Sequence, residues 1–305
     1  MSNYIFSIPL EIAQIKSIRK LESVLGLKRT FLIQTGLNAE LLYRPYTQFK
    51  GDKPRLIDNP NTQLKFIQKR INERILIKIS PHNFMNGGTK GKNILDNALP
   101  HIKKPCILKL DLSKYFQSTD DRRVYNFFHH DLSYSTRISA LLTRLTTRKH
   151  YLPQGAPTST SLANLINSDL ACEFELFCEP KKLKASFWVD DITISGENPQ
   201  KFKKFFEERI KSHGYILNKK KTKSIKNNLK QFTPGVVVNN TPSVPKNRIQ
   251  EYTDAIFDES RSEEESRNVR ITGQIQHVMD INPRQGIRLI KLRKKLLDSH
   301  KVIIR

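Results

Sequence analysis

Apolar residues recur at helical spacing through Leu10, Ile12, Ile15, Ile18, Leu21 and Leu25, with Gly26 as a stop, so the spacing predicts a helix over 10–25. Two short β-prone runs, 41–46 and 53–58, flank Gly51-Asp52 in the pattern of a hairpin. A basic amphipathic helix is predicted over 64–79 and a further helix over 93–101, separated by a Gly-, Asn- and Lys-rich loop (82–92) of the kind that lies near phosphates. Ile107 to Leu112 reads as a buried strand. Helical patterns over 120–148 and 158–175 flank a rigid turn, Leu152-Pro153-Gln154-Gly155-Ala156-Pro157. Two β-prone runs then meet at Asp190-Asp191 within 186–195. Beyond them come an amphipathic helix over 199–213 capped by Gly214, a strand pair over 232–239, an acidic stretch over 251–265 and a basic helix over 287–297. Helices and hairpins alternate without an internal repeat or a long linker, which predicts an α+β protein.

Charge narrows the partners. Lys and Arg number 53 against 29 Asp and Glu, a net charge of +24 that points to a polyanion, nucleic acid first. No run reaches the ~18 apolar residues of a membrane span, and the first ten residues lack the order of a signal peptide. Cys106, Cys172 and Cys178 have no metal-ligand spacing and read as thiols in a reducing cytoplasm. A cytoplasmic protein without a membrane partner is the expectation.

Neighbouring strand residues point to opposite sides, so Asp190 and Asp191 converge only where the backbone bends. Asp111 supplies a third carboxylate inside the apolar run 107–112, where a lone charge is expensive. Three such carboxylates suit two Mg²⁺ ions roughly 3.5–4 Å apart, the arrangement that serves phosphoryl transfer. Without a metal, Asp190-Asp191 reads as a solvated turn and Asp111 as a salt-bridge partner of Lys109 or Lys114.

With Asp111, the segment Leu152-Pro153-Gln154-Gly155-Ala156-Pro157-Thr158-Ser159 and Asp190-Asp191 in this order, the chain resembles a reverse transcriptase. The resemblance implies a right-hand polymerase: fingers and N-terminal helices over 1–105, a palm (antiparallel sheet plus helices) over 106–230, and a primer-grip region and helical thumb over 231–305. It implies that Asp111, Asp190, Asp191 and the Leu112 carbonyl hold the two Mg²⁺. Gln154 and Gly155 would line the meeting point of template and incoming nucleotide, and Phe116 would exclude a ribose 2′-hydroxyl. Arg55 would grip the triphosphate, and Lys221, in a run with Lys219 and Lys220, would stand beside the leaving pyrophosphate. Trp188 takes a position where this family more often has tyrosine.

Asn97-Ala98-Leu99-Pro100-His101 is similar to the Asn-Ala-x-x-His element of retron reverse transcriptases and stands just before Asp111 as theirs does. Their second element, Val-Thr-Gly, has Thr233-Pro234-Gly235 in its place, of which only the glycine agrees. By this resemblance the two elements belong to RNA recognition. The segment 273–305, carrying Arg284, Arg288, Lys291, Arg293, Lys294 and Lys295, resembles a thumb that follows the template–primer backbone. The retron resemblance implies a cognate noncoding RNA as template and primer, dNTPs, and synthesis from an internal guanosine 2′-hydroxyl to a branched RNA–DNA hybrid (msDNA). It also implies antiphage defence, with a separate effector protein because 305 residues leave little space for a fused one. The alternatives are a group II intron-like or other reverse transcriptase with conventional priming, and a non-catalytic RNA-binding protein on a polymerase fold.

Overall fold

The computed structural model describes residues 4–51, 53–259 and 265–303. The N-terminal part holds α1 (Ile18–Leu25), α2 (Arg29–Leu37), the hairpin β1 (Tyr43–Lys50) and β2 (Lys53–Pro60), α3 (Thr62–Arg74) and α4 (Ile94–Ala98). The helix predicted over 10–25 starts late: Ser17 caps α1 by accepting from the Lys20 N–H, while Ile12 and Ile15 are buried in the turns before it. Gly26 ends α1 in the left-handed conformation (φ 65°). The β1–β2 hairpin pairs throughout, from Tyr43↔Pro60 to Lys50↔Lys53; Asp52 of its expected turn lies outside the described residues.

The central part is built on β3 (Cys106–Ser113), followed by α5 (Asp121–Asn126), α6 (Thr136–Thr146), α7 (Ser159–Ile166) and α8 (Ser168–Cys178). The helix expected over 158–175 is thus two, broken at Asn167, whose side chain bonds the Ala163 carbonyl and the Tyr215 hydroxyl. Then come β4 (Lys184–Trp188), β5 (Asp191–Gly196), α9 (Lys203–Ser212), β6 (Ile216–Leu217) and β7 (Lys223–Lys226). The sheet has the order β4-β5-β3, with β6 and β7 end to end along the other edge of β3 (β7 on Cys106 to Lys109, β6 on Leu112 and Ser113), every pairing antiparallel. The final part is the short hairpin β8 (Phe232–Thr233) and β9 (Val236–Val237), then α10 (Lys246–Glu259), α11 (Glu265–Ile281) and α12 (Pro283–Ile303).

The two faces of β3 go to two cores. Leu108, Leu110 and Leu112 join one large core with Ile192 and Ile194 of β5, Phe174 of α8, Phe206 of α9, Leu64 and Ile71 of α3, and Tyr43 of β1, so the N-terminal hairpin and the sheet rest on shared packing. Ile107, on the opposite face, joins a second core with Ala98, Val236, Val238, Ile256, Ile275, Val278 and Leu289. An antiparallel sheet with helices on one face, a β-hairpin above and a helical bundle beyond is a right-hand polymerase fold. Among the described residues no helix is long and apolar enough to cross a membrane.

Candidate active site

Strand register brings the carboxylates together. Asp111 of β3 is the direct partner of Asp191 at the start of β5, and directly opposed residues share a face. Asp190 stands at the second corner of the β4–β5 turn, between Val189 and Asp191, and its carbonyl accepts the Leu112 N–H at 2.8 Å. The first corner is Val189 with φ 58°, a left-handed conformation that a β-branched residue adopts only under constraint. This is the bend that adjacent aspartates need in order to converge.

Two ammonium groups attend them. Lys221 Nζ lies 2.6 Å from Asp111 Oδ2, and this hydrogen bond raises the Lys221 pKa. Geometry therefore selects Lys221 from the run 219–221. Lys109 Nζ lies 3.9 Å from Asp191 Oδ1 and 4.5 Å from the centre of the Phe232 ring; burial lowers its pKa. Asp111 is salt-bridged by neither Lys109 nor Lys114, because a residue 110 positions further on reaches it through the β6–β7 connection. Burial first, then neighbouring carboxylates, raise the pKa of Asp190; burial also raises that of Asp191, against the pull of Lys109. Hard oxygen donors with opposed charge fit a divalent cation in chemistry and electrostatics. In their present rotamers, no three acidic, His or Cys side chains among the described residues form a ready cage.

The Gln154–Gly155 turn is docked on β2. The Asp58 N–H donates to the Gln154 carbonyl at 2.8 Å, and Arg148 pairs with buried Asp58 beneath it. Gly155 has φ 115°, and a Cβ there would meet Ile57 Cγ2 at 2.8 Å, so the turn needs glycine for both reasons. Arg55 sits two residues before Ile57 on β2, hence on the face that meets Gly155, with its side chain exposed. Phe116 is half-buried after β3, with its ring edge-on to Tyr115 at 5.3 Å.

The loop 82–92 lies behind the aspartate hairpin. Asn86 and Gly87 donate their N–H groups to the Phe187 carbonyl, and Phe187 donates to the Phe84 carbonyl. A Cβ on Gly87 would sit 2.6 Å from the Val189 nitrogen and 2.9 Å from two Trp188 backbone atoms. Asn164 of α7, buried, holds this loop by donating to the Gly87 carbonyl at 2.8 Å and the Thr89 hydroxyl at 3.1 Å. Gly87 and Asn164 were unreadable in the sequence, since they act across 77 positions of chain.

Asn97, Ala98 and His101 are fully buried: Asn97 accepts from Asn86, and His101 bonds Ser195 at 2.6 Å and Ser186 at 2.8 Å. Thr233 is buried too; Pro234 and Gly235 (φ 76°) form the corners between β8 and β9, and Gly235 packs over Ile94 of α4, one turn before Asn97. The Arg293 guanidinium bonds both carboxylate oxygens of buried Glu259 at 2.8 and 2.5 Å. Arg284, Arg288, Lys291, Lys294 and Lys295 are exposed on α12.

The family model described as reverse transcriptase (RNA-dependent DNA polymerase) matches residues 48–275. The chain belongs to the reverse transcriptase family. Within it, the similarity runs to bacterial retron enzymes: 38% identity over 190 residues to the Retron Ec86 reverse transcriptase of Escherichia coli, covering 60% of this chain and 59% of that one. The Retron Se72 reverse transcriptase of Salmonella heidelberg is 29% identical over 220 residues, covering 68% of this chain and 57% of that one. The chain spans about three-fifths of the length of these curated relatives. In fold it is similar to apo telomerase from Candida tropicalis (TM-score 0.51, 10% identity, covering 86% of this chain and 57% of that one).

Proposed function

We propose that this chain is the RNA-directed DNA polymerase of a retron, with fingers over 1–105, palm over 106–230, and primer-grip region and thumb over 231–305. The observation that carries the reading is the register Asp111↔Asp191 with Asp190 at the adjoining strained corner. Asp111, Asp190 and Asp191, with the Leu112 carbonyl, would hold two Mg²⁺. Bound there, the ions supply charge neutralisation for phosphoryl transfer and a more acidic attacking hydroxyl. The Lys221 ammonium, its pKa raised by the hydrogen bond to Asp111, would stand beside a leaving pyrophosphate and offset the charge gathering there. Arg55 offers a fork to triphosphate oxygens; Gln154 and Gly155 would shape the nucleotide seat, and half-buried Phe116 would exclude a 2′-hydroxyl by its bulk. Arg288, Lys291, Lys294 and Lys295 offer the template–primer backbone exposed positive charge.

The enzyme is tested by primer extension on an RNA template with dNTPs. An Asp190→Asn/Asp191→Asn variant is expected to bind RNA yet extend nothing; unaltered extension would sink the reading, and RNA binding with no extension by the wild type would favour the non-catalytic alternative. The retron reading adds a cognate noncoding RNA as template and primer, priming from an internal guanosine 2′-hydroxyl, a cDNA product joined as a branched hybrid (msDNA), and a role in antiphage defence with a separate effector. Sequencing the nucleic acid that co-purifies from the native locus tests it. A debranching-sensitive RNA–DNA species is expected, whereas linear cDNA on a 3′-hydroxyl primer would overturn it.

A further inference from the structure

The face of the sheet that carries the aspartates continues past them. Residues in register share a face, so Asp111, Lys109 and Ile107 of β3 line up with Asp191, Thr193 and Ser195 of β5, and with Trp188, Ser186 and Lys184 of β4. His101 lies over the far end of this face. One ring nitrogen bonds Ser195 Oγ at 2.6 Å, the other Ser186 Oγ at 2.8 Å, and all three residues are buried.

We propose that His101 is a positioning residue for nucleotide incorporation: a cross-tie between β4 and β5 that sets the pitch of the Asp190–Asp191 turn. This rests on the polymerase reading of the site and goes beyond it by giving the retron-type element Asn97–His101 an internal, mechanical role.

The chemistry suits a tie better than a contact surface. Burial keeps the imidazole neutral, so one nitrogen donates and the other accepts, and the two serine hydroxyls rotate to complete one directional chain. Ser186 and Ser195 are not direct partners, since Ser186 faces Thr193 and Lys184 faces Ser195. The imidazole therefore joins them on a diagonal, which resists sliding of one strand along the other. From Ser186 it is two residues to Trp188, the partner of Asp191, and from Ser195 four residues to Asp191 itself. The same element grips the turn from a second side: Asn97 accepts from the Asn86 amide, and Asn86 donates its N–H to Phe187. An apolar ring of similar size would fill the space but leave two buried hydroxyls without partners.

Trp188 is the chain's single tryptophan and stands on the turn, so it reports turn geometry without any assay of activity. Two full-length variants separate positioning from stability. His101→Phe is expected to melt lower, to raise acrylamide quenching of Trp188 at least twofold, and to slow single-turnover dNTP incorporation at least tenfold, with the Kd for an RNA–DNA duplex within twofold of wild type. His101→Phe/Ser186→Ala/Ser195→Ala removes every polar partner together, so melting recovers, yet incorporation stays at least tenfold down. Recovery of incorporation along with stability would reduce His101 to a core residue, and a duplex Kd weakened in step with the lost rate would return it to RNA contact; either result overturns the proposal. A wild-type chain that incorporates nothing sinks the polymerase reading, whereas unchanged Trp188 quenching in His101→Phe sinks this one.

Discussion

Replacing Gly87 by alanine tests how tightly the aspartate turn is held from behind. The added Cβ falls 2.6 Å from the Val189 nitrogen and 2.9 Å from the carbonyl carbon and Cα of Trp188, where ordinary contact begins near 3.4 Å. These are backbone atoms with no rotamer to escape through, so the turn or the loop retreats by about 0.8 Å. Asn164 bonds the Gly87 carbonyl and Asn86 is tied to Phe187, which stiffens the loop and passes the shift to the turn. Overpacking of this kind costs about 1–3 kcal/mol of stability. A displacement near 1 Å at a reacting centre costs on the order of 100-fold in rate. Single-turnover dNTP incorporation on an RNA template by Gly87→Ala, set beside its thermal melt, is expected to show both. Gly273→Ala is the control: nothing lies within 4 Å of its new Cβ on α11, so it is expected to stabilise by ~0.5–1 kcal/mol with unchanged rate. A Gly87→Ala enzyme within threefold of the wild-type rate would refute the reasoning.

Asp190 and Asp191 take up protons more readily in the fold than in the unfolded chain, so their charge opposes folding above the ordinary carboxylate range. Asp190→Asn is therefore expected to raise the melting temperature in EDTA by roughly 2–4 °C, the shift that about 1 kcal/mol gives, while abolishing incorporation; calorimetry and primer extension read the two effects. His101 is pushed down to about 3 by burial, so below its unfolded value near 6.5 the unfolded chain binds the extra proton, and stability falls as pH drops from 6.5 toward 3. Urea melts of wild type and His101→Phe across that window are expected to converge as pH falls. Arg293→Ala leaves the buried Glu259 carboxylate without its fork and is expected to cost about 3–5 kcal/mol in the C-terminal helical bundle, seen by hydrogen exchange on α10 to α12.

Much of the scaffold was legible because local pattern and tertiary demand agree. In the run 107–112, Leu108, Leu110 and Leu112 fill the large core, and with Ile107 on the other face they suffice to mark a buried strand despite Lys109 and Asp111. The aspartate hairpin shows its bend in the sequence by placing two carboxylates between β-prone runs. What stayed hidden depends on partners far along the chain. Lys221 could not be told from Lys219 and Lys220 until the β6–β7 connection placed it on Asp111. Arg293 looks like every other basic residue of α12, and its bonds to Glu259, 34 residues earlier, and to Thr272 leave no mark in the local pattern. Ser186 and Ser195 did leave a trace: both are polar positions within an apolar hairpin, a pattern that asks for a buried partner. The late start of α1 follows from Ser17, a cap inside a run of helical spacing.

The register that sets Asp111 opposite Asp191 has a consequence for how the enzyme matures. Strand side chains alternate, so a slip of one residue between β3 and β5 would turn Asp111 or Asp191 into the large core and expel Leu110 or Ile192. No compact misregistered state can survive that exchange. Assembly of the site is thereby checked by folding itself, and in any refolded preparation the specific activity should rise in strict proportion to the fraction folded, with no pool of compact but inert enzyme.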